Sequence, residues 1–176
     1  MSYPAANAVT VRRARTGDVR AVRSLLDAYV GDGILLDKAT VTLYESIQEF
    51  WVAERESDAR VVGCGALHVM WEDLAEVRTL AVDPEFHGKG IGHMVLGKLL
   101  DTARRLGVSR VFCLTFEVAF FAKHGFTEIG ETPGDTVDTD VYSELLRSYD
   151  EGVAEFLGLE RVKPNTLGNS RMLLHL

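Results

Sequence analysis

Leu80-Ala-Val-Asp-Pro-Glu-Phe-His-Gly-Lys-Gly-Ile-Gly92 is the stretch that decides the fold. Its apolar start reads as a strand that ends at Asp83-Pro84, because proline has no amide proton to give to a ladder. An amphipathic pattern then runs from Ile91 to Leu106. The alternate glycines Gly88, Gly90 and Gly92 therefore fall where a strand turns into a helix. Backbone N–H groups at a helix start have no partner of their own and sit at the positive end of the helix dipole. Residues without Cβ let an anion come close to them, so the stretch points to a phosphate-bearing ligand.

Spacing narrows the choice. A P-loop needs Gly-x-x-x-x-Gly-Lys-Ser/Thr, but Lys89 is followed by Gly90 and no hydroxyl. A dinucleotide fold needs Gly-x-Gly-x-x-Gly, whereas these glycines alternate strictly. His87-Gly-Lys-Gly-Ile-Gly92 instead resembles the Arg/Gln-x-x-Gly-x-Gly/Ala loop of the GNAT superfamily of N-acetyltransferases, with His87 in the Arg/Gln place. The resemblance implies that acetyl-CoA is the co-substrate and that no metal is needed. It assigns the pantetheine and acetyl carbonyl to backbone groups of Leu80, Ala81 and Val82, and the pyrophosphate to His87, Gly88, Lys89, Gly90, Ile91, Gly92 and His93. A glycine-rich turn can also do no more than start a helix; strand, turn and helix in register argue for the binding role.

Composition excludes several other classes. With 176 residues, 47% of them hydrophobic and only four prolines, the chain has enough core for one folded domain and no room for a long disordered arm. A net charge of −7 argues against a nucleic-acid partner, whose binding rests on neutralising phosphates. No run approaches the ~20 apolar residues of a membrane span, and the start lacks a secretory pattern, so a cytoplasmic protein is expected. Cys64 and Cys113 lie in apolar strand-like runs and read as buried thiols, and the histidines have no metal-ligand spacing.

Along the chain, Val9 to Ala14 reads as a strand. Thr16-Gly-Asp18 caps a helix with Val19, Val22, Leu25, Leu26, Tyr29 and Val30 on one face. A short helix follows from Thr40, with Val41, Tyr44 and Ile47 as its apolar side. Trp51 to Glu56 and Val61 to Met70 form a hairpin in which Gly63 and Gly65 hint at a bulge. Then come a strand at Glu76–Val82, the glycine loop and its helix closed by Gly107, a strand at Val111–Thr115 and a short helix from Phe120 to His124. The order resembles the acetyltransferase fold over residues 9 to 130, and Phe120-Phe-Ala-Lys-His-Gly-Phe126 matches that family's aromatic-x-x-x-Gly-Phe segment. The expectation is an α+β fold, a mixed twisted sheet flanked by helices. Residues 131–168 form a helical insertion before the last strand, with helices from Asp138 and from Tyr149 to Leu159, read as a lid or a homodimer interface.

Strand alternation places Glu76, Arg78, Leu80 and Val82 on one face, barring a bulge. A carboxylate such as Glu76 can take the proton of an ammonium group, since an amine attacks only when neutral. Arg78 can pair bidentately with a carboxylate, although the two side chains could equally face solvent or each other. Ala75-Glu-Val-Arg-Thr-Leu-Ala-Val82 resembles the Glu-x-Arg-Ser-Leu-Ala-Val strand of short amino-acid N-acetyltransferases, the N-acetylglutamate synthases of arginine biosynthesis. This implies catalysis by Glu76 on a small amino-acid substrate, glutamate or glutamine. Gly33-Ile-Leu-Leu-Asp-Lys38 resembles the loop whose basic residue meets the substrate carboxylate, which assigns Lys38. Asn169-Ser-Arg-Met-Leu173 assigns Ser170 and, because Gly168 holds the usual arginine place, Arg171 or Lys163. Phe121 lies along the cofactor where many relatives have a tyrosine acid, so the departing thiolate draws its proton from water, a backbone group, Tyr142 or Tyr149.

Overall fold

The computed structural model describes residues 8–32, 38–130, 136–158 and 169–176. Its strands are β1 (Val9–Arg13), β2 (Phe50–Arg55), β3 (Val61–Trp71), β4 (Leu74–Val82), β5 (Arg110–Thr115), β6 (Thr127–Glu128) and β7 (Ser170–His175). They form a seven-stranded sheet in the order β1-β2-β3-β4-β5-β7-β6. β4 and β5 are parallel at Leu74–Arg110, Ala75–Val111 and Glu76–Phe112, whereas β7 runs antiparallel to β5 and β6. A parallel pair needs a long crossover. The glycine loop and helix α3 (Ile91–Leu106) supply it, closed by Gly107 as the sequence leads one to expect.

The chain divides into two compact units, Met1–His68 with Val77–Ala103 and Val69–Glu76 with Arg104–Leu176. In the first, helix α1 (Val19–Val30) buries Val19, Val22, Leu25 and Leu26 against Phe50, Val52, Cys64, Ala66 and Ala81. Asp18 does not cap α1 with its side chain. Its carboxylate accepts from the Arg15 N–H at 2.7 Å and from the Arg12 guanidinium, which also binds Glu54. Chiefly through the Arg12 bond, Asp18 is held below the usual carboxylate range. Of the side expected to face inward after Thr40, Ile47 is buried, but helix α2 (Thr40–Glu45) itself turns Leu43 inward and leaves Val41 60% and Tyr44 45% exposed. Ile47 belongs to a separate 3-10 turn, so helical spacing counted from Val41 does not carry to it.

The hairpin register shifts between Ala53 and Glu54, whose partners are Gly63 and Val61, so the extra residue is Val62 on β3 and Gly63 flanks the bulge. Gly63 and Gly65 also let α3 approach. A Cβ at residue 65 would lie 2.9 Å from Val95 and 3.0 Å from both Leu80 and Leu99, and one at residue 63 would lie 3.0 Å from Ile91.

In the second unit, Phe112 meets Phe156 edge-on at 4.9 Å within a core of Met70, Leu74, Val137, Leu145, Val153, Leu157 and Leu173. Leu145 comes from helix α5 (Thr139–Leu145), and Val153 and Phe156 from helix α6 (Glu151–Phe156). The described part of the insertion is thus built into a core. α6 is shorter than expected at both ends: Asp150 caps it by accepting from the Val153 N–H, and Tyr149 is 98% exposed. Helix α4 (Val118–Ala122) begins and ends two residues before the expected bounds. Cys64 and Cys113 are buried free thiols; burial pushes Cys64 up to about 12 and raises Cys113 too, with the Glu76 charge adding to the latter.

Two alanine substitutions separate contact from propensity. Gly65→Ala should lower stability by roughly 1–3 kcal/mol through overpacking against α3. Gly97→Ala, inside α3 with nothing within 4 Å of the new methyl, should raise it; helix propensity sets the gain at about 0.5–1 kcal/mol. Urea midpoints of the two variants check both signs.

Candidate active site

The turn after β4 is pinned before the glycine loop begins. Asp83 accepts from the Glu85 N–H at 2.9 Å, and Arg60 bridges Asp83 at 2.5 Å and Glu85 at 3.4 Å. Phe86 is buried, with the cations of Arg55, Arg60 and Lys89 at 5.2, 5.9 and 4.8 Å from its ring centre. Gly88 and Gly90 then adopt φ of +74° and +77°. The Gly90 carbonyl accepts from the Met94 N–H at 3.1 Å, which makes Gly90 the first residue of the helix cap. Helical geometry leaves the N–H groups of Gly90, Ile91 and Gly92 without acceptors inside α3.

A Cβ at Gly88 or Gly90 would meet nothing within 4 Å. The left-handed backbone, not crowding by the protein, therefore requires glycine at both positions. The same open space beside unspent donors suits the oxygens of a pyrophosphate. A branched residue at Gly90 would strain the loop as well as fill this space. Gly92, inside α3, is the cleaner place to probe it.

β4 departs from simple alternation at Thr79, whose φ of +61° is rare for a β-branched residue and interrupts the pleat. Glu76 and Arg78 precede this point and Leu80 and Val82 follow it, so the four do not form one uninterrupted row. Glu76 is buried at 5% exposure, whereas Arg78, Leu80 and Val82 are half-buried. Leu80 reaches toward α3 beside Gly65, while Ala81 lies in the α1 core. The Val82 carbonyl accepts from the Tyr29 hydroxyl and lies 3.1 Å from His87 Nε2. Tyr29 is a member of the site that sequence reading left on the apolar face of α1. Its partners are 53 and 58 positions away in the chain, and no local pattern signals them.

The other expected residues are spread over both units. Lys38 is half-buried and its carbonyl accepts from Arg23; the preceding loop, residues 33–37, lies outside the described residues, as do Lys163 and Gly168. Arg78, the β4 end, His93 and the glycine loop belong to the first unit; Glu76, Phe121, Ser170 and Arg171 belong to the second. Ser170 pairs with Thr115 at the start of β7. Arg171 donates to the Phe156 carbonyl at 2.5 Å and stands over the rings of Phe112 and Phe156, so its guanidinium ties α6 to β7. Phe121 is buried edge-on between Phe120 and Phe126 and has no proton to give. Among the described residues no group of three His, Cys, Asp or Glu side chains is arranged to hold a metal ion.

Comparison with known proteins bears on the family and the fold. A model of the acetyltransferase (GNAT) family matches residues 22–126. An amino-acid acetyltransferase of Mycobacterium tuberculosis is 62% identical over 165 residues, which cover 93% of this chain and 92% of that one. A crystal structure from the same organism, in complex with CoA, superposes with a TM-score of 0.89 at 61% identity, covering 95% of this chain and 99% of the other. N-acetylglutamate synthase from Neisseria gonorrhoeae, complexed with CoA and N-acetyl-glutamate, superposes with a TM-score of 0.73 at 25% identity; 96% of this chain matches 35% of that one.

Gly92→Val, which sets a branched side chain where the phosphate oxygens approach the main chain and goes beyond the alanine that the resembling loop tolerates, should weaken CoA binding by about tenfold or more. The same change favours helix, so the urea midpoint should hold or rise. Calorimetric titration with CoA, beside the unfolding curve, checks the pair of outcomes.

Proposed function

The chain belongs to the GNAT family of acetyltransferases, and from that premise we propose that it acetylates the α-amino group of L-glutamate, or of L-glutamine, as the opening step of arginine biosynthesis. Acetylation of amino acids with acetyl-CoA is the coarser activity, which rests on the 62% identity over most of the chain. The glutamate assignment is supported by the Glu76-x-Arg78 pattern on β4, just upstream of the strand end that leads into the glycine loop. No helix among the described residues is long and apolar enough to cross a membrane, and we place the reaction in the cytoplasm.

Acetyl-CoA, when bound, supplies a thioester whose acyl carbon is open to attack by an amine. The protein's part begins with the N–H groups of Gly90, Ile91 and Gly92, which hold the pyrophosphate, with Lys89 and His93 beside it. Backbone groups of Leu80, Ala81 and Val82 fix the pantetheine arm, and Phe121 packs along it. Arg78 and Lys38 bind carboxylates of the amino acid, drawing an anionic substrate to a protein of net charge −7. Ser170 adds a hydroxyl contact. Arg171 takes part through its hold on α6. Glu76 receives the proton from the substrate ammonium, directly or through water, and so frees the lone pair that attacks. Phe121 cannot protonate the departing thiolate, which leaves that proton to water, a backbone group, Tyr142 or Tyr149.

The observation that carries the reading is the open, left-handed Gly88–Gly90 turn that leaves backbone donors unspent at the start of α3. Its test is CoA thiol release with glutamate, glutamine, aspartate, neutral amino acids and a short peptide as acceptors. The reading expects the highest kcat/KM with glutamate or glutamine. Preference for the peptide or another amine would overturn it.

Two substitutions assign the roles. Arg78→Ala should raise KM for the amino acid about tenfold or more, with KM for acetyl-CoA nearly constant. Glu76→Gln should depress kcat by roughly 10²–10⁴-fold, leave KM nearly unchanged and remove the acidic limb of the pH profile. Steady-state kinetics across the pH range measures both.

A further inference from the structure

We infer that Tyr29 and His87 are positioning residues that preset the glycine loop for the cofactor's pyrophosphate, acting together through the backbone carbonyl of Val82. The inference rests on the reading that His87 to His93 hold acetyl-CoA. Tyr29 stands half-buried near the end of α1 and its hydroxyl donates to the Val82 carbonyl at the end of β4. His87 Nε2 lies 2.8 Å from the same hydroxyl oxygen and 3.1 Å from the same carbonyl, with the two rings inclined by 29°.

The protons can be counted. A carbonyl only accepts, so the Tyr29 O–H and the Nε2–H of His87 are its two donors, and the Tyr29 oxygen also faces Nε2–H. The arrangement closes with the proton on Nε2. It links a helix, a strand end and the residue just before the first left-handed glycine. His87 is exposed and extended, at φ −60° and ψ 150°, so this link fixes the entry angle of the loop. In the resembling motif an arginine or glutamine holds this place. Here the imidazole is folded back onto the protein rather than extended toward a ligand. A loop ordered before binding spares the ligand the cost of ordering it, which shows in affinity and not in the chemical step.

Tyr29→Phe, His87→Ala and the double variant test the inference, with CoA calorimetry and kinetics using acetyl-CoA and S-acetylpantetheine, which lacks the pyrophosphate. Tyr29→Phe should raise the Kd for CoA and the KM for acetyl-CoA by about five- to tenfold while kcat stays within about twofold. The double variant should be no worse than the weaker single one, because the groups act as a unit. KM for S-acetylpantetheine, which keeps the arm assigned to Val82 but lacks the pyrophosphate, should rise clearly less than KM for acetyl-CoA. Unchanged CoA affinity in Tyr29→Phe, additive losses, or an equal loss with S-acetylpantetheine would overturn it. If Gly92→Val weakens CoA and Tyr29→Phe does not, only this inference falls; if neither does, the loop assignment falls as well.

Discussion

Backbone N–H groups left without partners at the start of α3 are the constraint on which the site depends. A helix cannot satisfy its own first donors. Most helices meet this with a side-chain cap or water. Here Gly88 and Gly90, both left-handed, turn the chain into the helix, and a Cβ at either would meet nothing within 4 Å. The rest of the first unit holds that helix start still. Gly63 and Gly65 let α3 lie close on β3, Asp83 and Arg60 fix the preceding turn, and Tyr29 ties the loop to β4.

β4 carries the two halves of the proposed chemistry in one strand. Its upstream part holds Glu76 and Arg78, and its end leads to the anion-binding turn. The left-handed Thr79 stands between them. Strained backbone at such a residue costs about 1–3 kcal/mol and persists only where surrounding structure over-determines it. The flanking contacts are of that kind: Thr79 is itself buried, its carbonyl accepts from the Cys64 thiol at 3.5 Å, and Ala81 is locked in the α1 core.

Much of this was legible in the sequence, because local signals and tertiary demand coincide there. Asp-Pro stops β4, glycines open α3, Gly107 closes it, and the apolar spacing of α1 matches the face it buries. The failures have physical causes. Two turns of helix are too short for spacing to fix the inward face, so Leu43 replaced Val41 and Tyr44 in the core. Gly63 flanks a bulge as expected, but that it and Gly65 also mark close approach of a helix from another part of the chain has no local sign in the sequence. Thr79 carries no glycine to betray its angle. Tyr29 reads as one more apolar residue of α1, and Arg171 as a substrate contact, although its guanidinium stands over the rings of Phe112 and Phe156.

Amide hydrogen exchange of the protein with and without CoA tests the central claim most directly, since it reports on the backbone donors themselves. The account predicts that the amides of Gly90, Ile91 and Gly92 exchange fast in the free protein and become protected when CoA is added, while the middle of α3 changes little. Protection elsewhere with these three amides unaffected would contradict it.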